Sequence, residues 1–196
     1  MEDVATLSSA PAASLPEPAV AAPEESALLR AALAGDARAL DDLVRLHHRR
    51  VYGYLCQMTR HRADAEDLTQ QTFIKAIRGL DRVDPARPLV PWLLTIARRT
   101  ALNHFRDGPR WDELPFDLAG GEMSPAGETE LRDQADALWA RARRTLSARE
   151  FEALWLRCAE ELPLAETASL MGLTRIHVKV LVHRARQKLL KTATPA

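Results

Sequence analysis

A helical repeat running from Asp64 to Arg106, broken once by prolines, sets the frame for this chain. At about 100° per residue, Ala65, Leu68, Thr69, Thr72, Phe73, Ala76, Ile77 and Leu80 share one face, the pattern of a helix packed on a core. A loop follows in which Pro85, Pro88 and Pro91 preset the backbone and interrupt any helix. A second helix opens at Trp92, with Leu93, Ile96, Ala97, Ala101 and Phe105 inward and Arg98, Arg99 and Asn103 outward.

The outer face of the first helix is the more informative one. There Glu66, Asp67, Gln70 and Gln71 surround a single apolar residue, Ile74. An ordinary solvated face carries Lys or Arg four residues after Glu, which supports the helix; here that spacing holds glutamines. An acidic and amide surface with an apolar centre suits docking to a partner that bears Arg or Lys. A merely solvated face is the alternative.

The flanking sequence predicts an all-α fold of two small helical domains joined by an acidic flexible linker. Residues 1–24, rich in Ala, Pro and Ser, read as a disordered acidic tail. The first domain spans 25–108. It starts with a helix from Glu25 to Ala34 that turns Leu28, Leu29, Ala32 and Leu33 inward and ends at Gly35. Asp36 caps the next helix, which runs to about Arg60 with Leu40, Leu43, Val44, His47, Val51, Leu55 and Met58 on its packed side. Residues 109–130, with Pro115, Pro125 and an acidic surplus, form the linker.

The second domain spans 131–192. A helix from Leu131 to Leu146 offers Ala135, Leu138, Trp139, Ala142 and Leu146 for packing. Ser147 and Glu150 form a capping box at the head of a helix carrying Phe151, Leu154, Trp155 and Cys158. A helix-turn-helix follows: Leu164 to Met171, a turn at Gly172, a cap at Thr174, and a recognition helix from Arg175 to about Leu190. Val178, Val182, Ala185 and Leu189 face its core. Lys179, His183, Arg186 and Gln187, with Ile176 and Val180, form the opposite face, flanked by Arg175, His177 and Arg184. Basic groups for phosphate, His and Gln for base edges and aliphatic groups for thymine methyls suit a major groove.

Net charge is zero, which by itself argues against a nucleic-acid binder, but the charge is segregated. Lys plus Arg against Asp plus Glu run none to four over residues 1–24, 14 to ten over 25–108, two to seven over 109–133 and 11 to six over 134–196. After Glu166 no acidic residue occurs, and that basic end is where a polyanion would be met. Cys56 and Cys158 are too few for a disulfide framework, and a reduced, cytoplasmic compartment fits them. The start, Met-Glu-Asp, carries no secretory signal, and no run is long and apolar enough to insert in a membrane. His47, His48, Cys56 and His61 match no common zinc spacing, so neither metal nor cofactor is expected. Without a phosphate-cradling glycine loop, zinc motif or nucleophile elbow, enzyme activity is not expected either.

Asp64-Ala-Glu-Asp-Leu-x-Gln-x-Thr-Phe-x-x-Ala, followed beyond the loop by Trp92-Leu-x-x-Ile-Ala-Arg, resembles region 2 of bacterial sigma-70-family factors. Leu146-Ser-x-Arg-Glu, Val178-Lys and His183-Arg-Ala-Arg-x-x-Leu resemble region 4. The pair is similar to the extracytoplasmic-function group, which has only these two regions. The resemblance implies an RNA polymerase sigma factor with bacterial core RNA polymerase and promoter DNA as partners, and an anti-sigma protein as a further partner. It implies polymerase docking through Asp64, Glu66, Asp67, Gln70, Gln71 and Ile74. For the −10 element it implies Asp84, Arg87, Trp92, Arg98, Arg99 and Asn103; for the −35 element, Arg175, His177, Lys179, His183, Arg184 and Arg186. It also places the linker in the polymerase's RNA-exit path.

Some positions depart from the family pattern. Val180 and Leu181 replace a usual Ser-Arg pair, an expected loss of a phosphate or base contact, and Gln71 replaces a frequent Glu. Pro163 stands where a Ser or Thr cap is common. The alternative function is a stand-alone helix-turn-helix regulator, or a degenerate sigma homologue acting through protein contacts.

Overall fold

The computed structural model describes residues 21–106 and 130–193. The expected tail as far as residue 20, and the expected linker as far as residue 129, lie outside the described residues. Within the described residues the chain forms eight α-helices, one 3-10 turn and no strand, arranged as two helical domains.

In the first domain, α1 (Pro23–Leu33) begins with a proline at a position whose amide needs no intrahelical partner. Gly35, at φ 94°, takes the left-handed turn that follows. Asp36 then accepts the amides of Arg38 and Ala39 and starts α2 (Ala37–Thr59). α2 is the central rod: α1, α3 (Arg62–Arg78) and α4 (Val90–Arg106) all pack on it. Leu43, Val51, Leu55 and Met58 are buried along its length, joined by Ala65, Leu68, Phe73, Leu93, Leu94 and Ala97. Thr69 and Thr72 are buried within this core because each hydroxyl donates to the carbonyl four residues back.

Three expectations need correction here. Leu33 and Ile77, placed inward by period, are 41% and 44% exposed, because both lie at the margin of the buried stripe. The fourth helix starts at Val90 rather than Trp92, with Pro91 tolerated in its first turn.

The second domain is built on α8 (Arg175–Ala193), which touches α5 (Glu130–Thr145), α6 (Ala148–Cys158) and α7 (Leu164–Met171). The capping box is present: Ser147 N donates to Glu150 Oε2 (3.0 Å) and Glu150 N to Ser147 Oγ (3.4 Å). Trp139, Phe151 and Trp155 form an aromatic cluster, with 4.8 Å between the Trp139 and Trp155 rings. Cys158, Ala135 and Leu138 are exposed instead of packed. Gly172, at φ 67°, makes the turn between α7 and α8, and Thr174 Oγ1 accepts the amide of His177.

The two domains meet. α4 packs on α7, and polar bridges run beside that contact. Tyr54 Oη donates to Glu152 Oε1 at 2.6 Å, and Arg98 Nε to the same oxygen at 2.8 Å. Arg50 Nε donates to Glu160 Oε2 at 2.9 Å, and Arg143 Nε to Gln57 Oε1 at 2.9 Å.

Candidate functional site

Three exposed faces carry the residues singled out in the sequence. On α3, the core threonines and Phe73 fix the helix so that Glu66, Asp67, Gln70, Gln71 and Ile74 all point to solvent. Ile74 is 51% exposed, and Ile77 extends its apolar patch along the same side. Asp64 stands apart at the helix start, half-buried, 3.3 Å from His61 Nδ1 and 3.6 Å from His104 Nε2. Glu66 pairs with Arg62 at 3.1 Å, so part of its charge is already answered one turn back.

The second face comprises the proline loop and α4. The loop is pinned to α1: Ser26 Oγ donates to the Pro85 carbonyl (2.7 Å), Leu89 N to Glu25 Oε1 (3.2 Å) and Ala21 N to the Ala86 carbonyl (3.1 Å). Asp84 closes the turn by accepting the Ala86 amide at 2.9 Å, and lies 3.6 Å from Arg87. Beyond it, Arg99 and Asn103 lie one turn apart and exposed, with Trp92 half-buried at the base of the same stripe. Arg98 leaves that stripe. It turns to the second domain, and its side chain is 18% exposed on Glu152. Burial works against the Arg98 charge, yet the Glu152 carboxylate outweighs it and holds the guanidinium pKa above its ordinary value.

The third face is on α8. Arg175, Ile176, His177, Lys179, Val180, His183, Arg184, Arg186 and Gln187 are all exposed, against a buried side of Val178, Ala185 and Leu189. Leu181, 7% exposed, lies with the buried set. The expected loss of a DNA contact therefore does not hold at Leu181, which faces inward; Val180 alone of that pair stands on the exposed face. Lys188 is drawn off by Glu150 (2.7 Å). Burial raises the Glu150 pKa, but this pairing and the Ser147 amide outweigh it and leave the carboxyl below its ordinary value.

Sequence reasoning missed Arg50, Tyr54, Glu152 and Glu160, the polar groups between the domains. Glu152 was detectable only as a charge inside an apolar run, Phe151 to Leu156. Among the described residues no cluster of His, Cys, Asp or Glu is placed to hold a metal.

A family model for sigma-70 region 2 matches residues 43–110, from within α2 to the end of α4, and one for sigma-70 region 4 matches 138–189, covering the helix-turn-helix. The RNA polymerase sigma factor CarQ of Myxococcus xanthus is 33% identical over 159 residues, 77% of this chain and 87% of that protein. This chain belongs to the extracytoplasmic-function group of the sigma-70 family. Another relative, the sigma factor BldN of Streptomyces coelicolor, is 32% identical over 166 residues, 81% of this chain; the match spans 61% of the BldN length. The fold matches that of CnrH, solved in complex with the cytosolic domain of CnrY (TM-score 0.62, 23% identity, covering 87% of this chain and 97% of that one). It also matches RpoE of Bartonella quintana, solved with the anti-sigma factor NepR (TM-score 0.57, 24% identity, covering 77% and 94%). The three faces of this sigma factor thus fall one on the α3 and one on the α4 segment of region 2, and one on the recognition helix of region 4. No described helix is long and apolar enough to cross a membrane.

Proposed function

We propose that this sigma factor docks on core RNA polymerase through the exposed α3 face, with Asp67, Gln70, Gln71 and Ile74 at its centre and Asp64 and Glu66 at its edge. The observation that carries the reading is Ile74, 51% exposed, with Gln70 and Gln71 one turn and Asp67 two turns before it on the same exposed face. Such a surface is matched by a basic, partly apolar partner helix, which on the family resemblance is the clamp coiled coil of the largest polymerase subunit. Docking fixes α4 and the proline loop over the −10 element, where Arg99 and Asn103 meet the strand, Trp92 and Arg87 flank it, and Asp84 holds the loop shape. The α8 face enters the major groove at the −35 element. There Arg175, Lys179, Arg184 and Arg186 take phosphates, and His177, His183 and Gln187 read base edges.

An anti-sigma protein is the further partner we propose, and the cytoplasm the site of action. Residues 109–130 would link the two regions, and the factor performs no reaction of its own.

Pull-down of core polymerase tests the docking face. Asp67→Arg or Ile74→Glu should abolish capture while leaving the helical circular dichroism unchanged, because both side chains are solvent-exposed. Run-off transcription should fail in parallel. Retained capture would refute the assignment, and duplex binding without any polymerase affinity would favour a stand-alone regulator.

A further inference from the structure

Beside the packing of α4 on α7, acids of region 4 meet arginines of region 2. Glu152 of α6, with a side chain 1% exposed, accepts both Tyr54 Oη (2.6 Å) and Arg98 Nε (2.8 Å). Glu160, 6% exposed, takes Arg50 at 2.9 Å. Glu166 of α7 is half-buried, and burial raises its pKa against the opposing charge of Arg87 in the proline loop. These are three of the six acidic residues after residue 133, and Arg98 and Arg87 both belong to the surface assigned to the −10 strand.

The bridge at Glu152 is not built for permanence. Its second oxygen, Oε2, is buried with no hydrogen-bond partner among the described residues. A buried carboxylate with part of its acceptor capacity unused adds little net stability, because its lost hydration is only partly replaced. Carboxylate and phosphate present the same chemistry to a guanidinium fork, so either can occupy Arg98.

We infer that Glu152 is an intramolecular latch: it seats on Arg98 in place of a nucleic-acid phosphate, holds regions 2 and 4 closed, and is displaced when a strand takes Arg98. The latch rests on the reading of α4 as the strand-binding helix. In the closed form Arg99 and Asn103 face solvent while Arg98 is withheld. Opening adds a cation to that surface and, in the same step, frees region 4 to reach a separate site on the DNA.

Interdomain distances in the full chain test the latch without polymerase. With Cys56 and Cys158 changed to Ser, fluorophores at Arg38→Cys and Lys191→Cys place one label on each domain. Glu152→Ala should lengthen and broaden the distance distribution, and so should Arg98→Met, which approaches the bridge from the other domain and leaves region 4's own residues intact. A short labelled single-stranded oligonucleotide should bind Glu152→Ala about tenfold more tightly than the parent, the scale of one charged contact set free. Arg98→Met should open without that gain, since it removes the cation itself. Unchanged distances in both variants would overturn the latch. Opening without tighter oligonucleotide binding would overturn its inhibitory role and leave the docking reading untouched, because α3 takes no part in the bridge. If the parent failed to capture polymerase, the docking reading would fall while the distances still decided the latch.

Discussion

His47 lies on α2 with a side chain 5% exposed and its Nε2 2.9 Å from Glu25 Oε1. Burial pushes its pKa down from the ordinary 6.5, aided by Arg50, and outweighs the Glu25 carboxylate that pulls the other way. The neutral ring is therefore the folded form, and the unfolded chain binds the extra proton. Stability should be fully present above about pH 6.5 and fall as pH drops through the depressed folded value. Urea midpoints measured between about pH 7 and about pH 5 should decline for the parent, and His47→Gln, which does not titrate, should flatten that slope. An identical slope in both proteins would mean the ring is not responsible. Helical spacing puts His47 on the packed side, and that is legible in the sequence because period is a local property. Tyr54 and Glu152 were not legible. They lie 98 residues apart, and what buries each is the other domain, which no window of sequence contains.

At the scale of elements, the devices written within four residues of each other came through as read. Asp36, Ser147 with Glu150, Gly172 and Thr174 all cap or turn where their chemistry allows. Faces were read less well at their margins. Ile77, 60° round α3 from Ile74 by helical period, fits the core by period and instead lies exposed beside Ile74. Leu181 shows the opposite error: compared with the family it looked like a missing DNA contact, yet α8 turns it into the core. Restoring the usual residue with Leu181→Arg should therefore not tighten promoter binding. It should destabilise the second domain by more than the roughly 1–3 kcal/mol that burying a neutral polar group without its hydrogen bonds costs, because the guanidinium is charged, and this reads as a lower denaturation midpoint. A tighter −35 complex with unchanged stability would show that residue 181 faces the groove after all.

For the whole molecule, a net charge of zero conceals a division of labour. In the second domain Glu152 and Glu160 are drawn to its contact with the first and Glu150 to a helix cap, and from Arg175 onward the chain has no acid. Counter-charges beyond about 10 Å are screened at ordinary ionic strength, and α8 carries no acid of its own to offset its exposed cations nearby. Affinity of the polymerase-bound factor for promoter duplex should thus depend steeply on salt in spite of neutrality. Removing the cation that meets one phosphate should reduce the slope of log affinity against log salt by about one. Lys179→Gln and Arg186→Gln should each show that reduction while leaving sequence preference nearly unchanged. His183→Ala, aimed at a base edge, should keep the slope and relax preference at one position. These slopes come from fluorescence anisotropy over a salt series, on a duplex enriched by selection with the polymerase-bound factor. If the Lys179 and Arg186 variants kept the parent slope, α8 would not be the element that meets the phosphates.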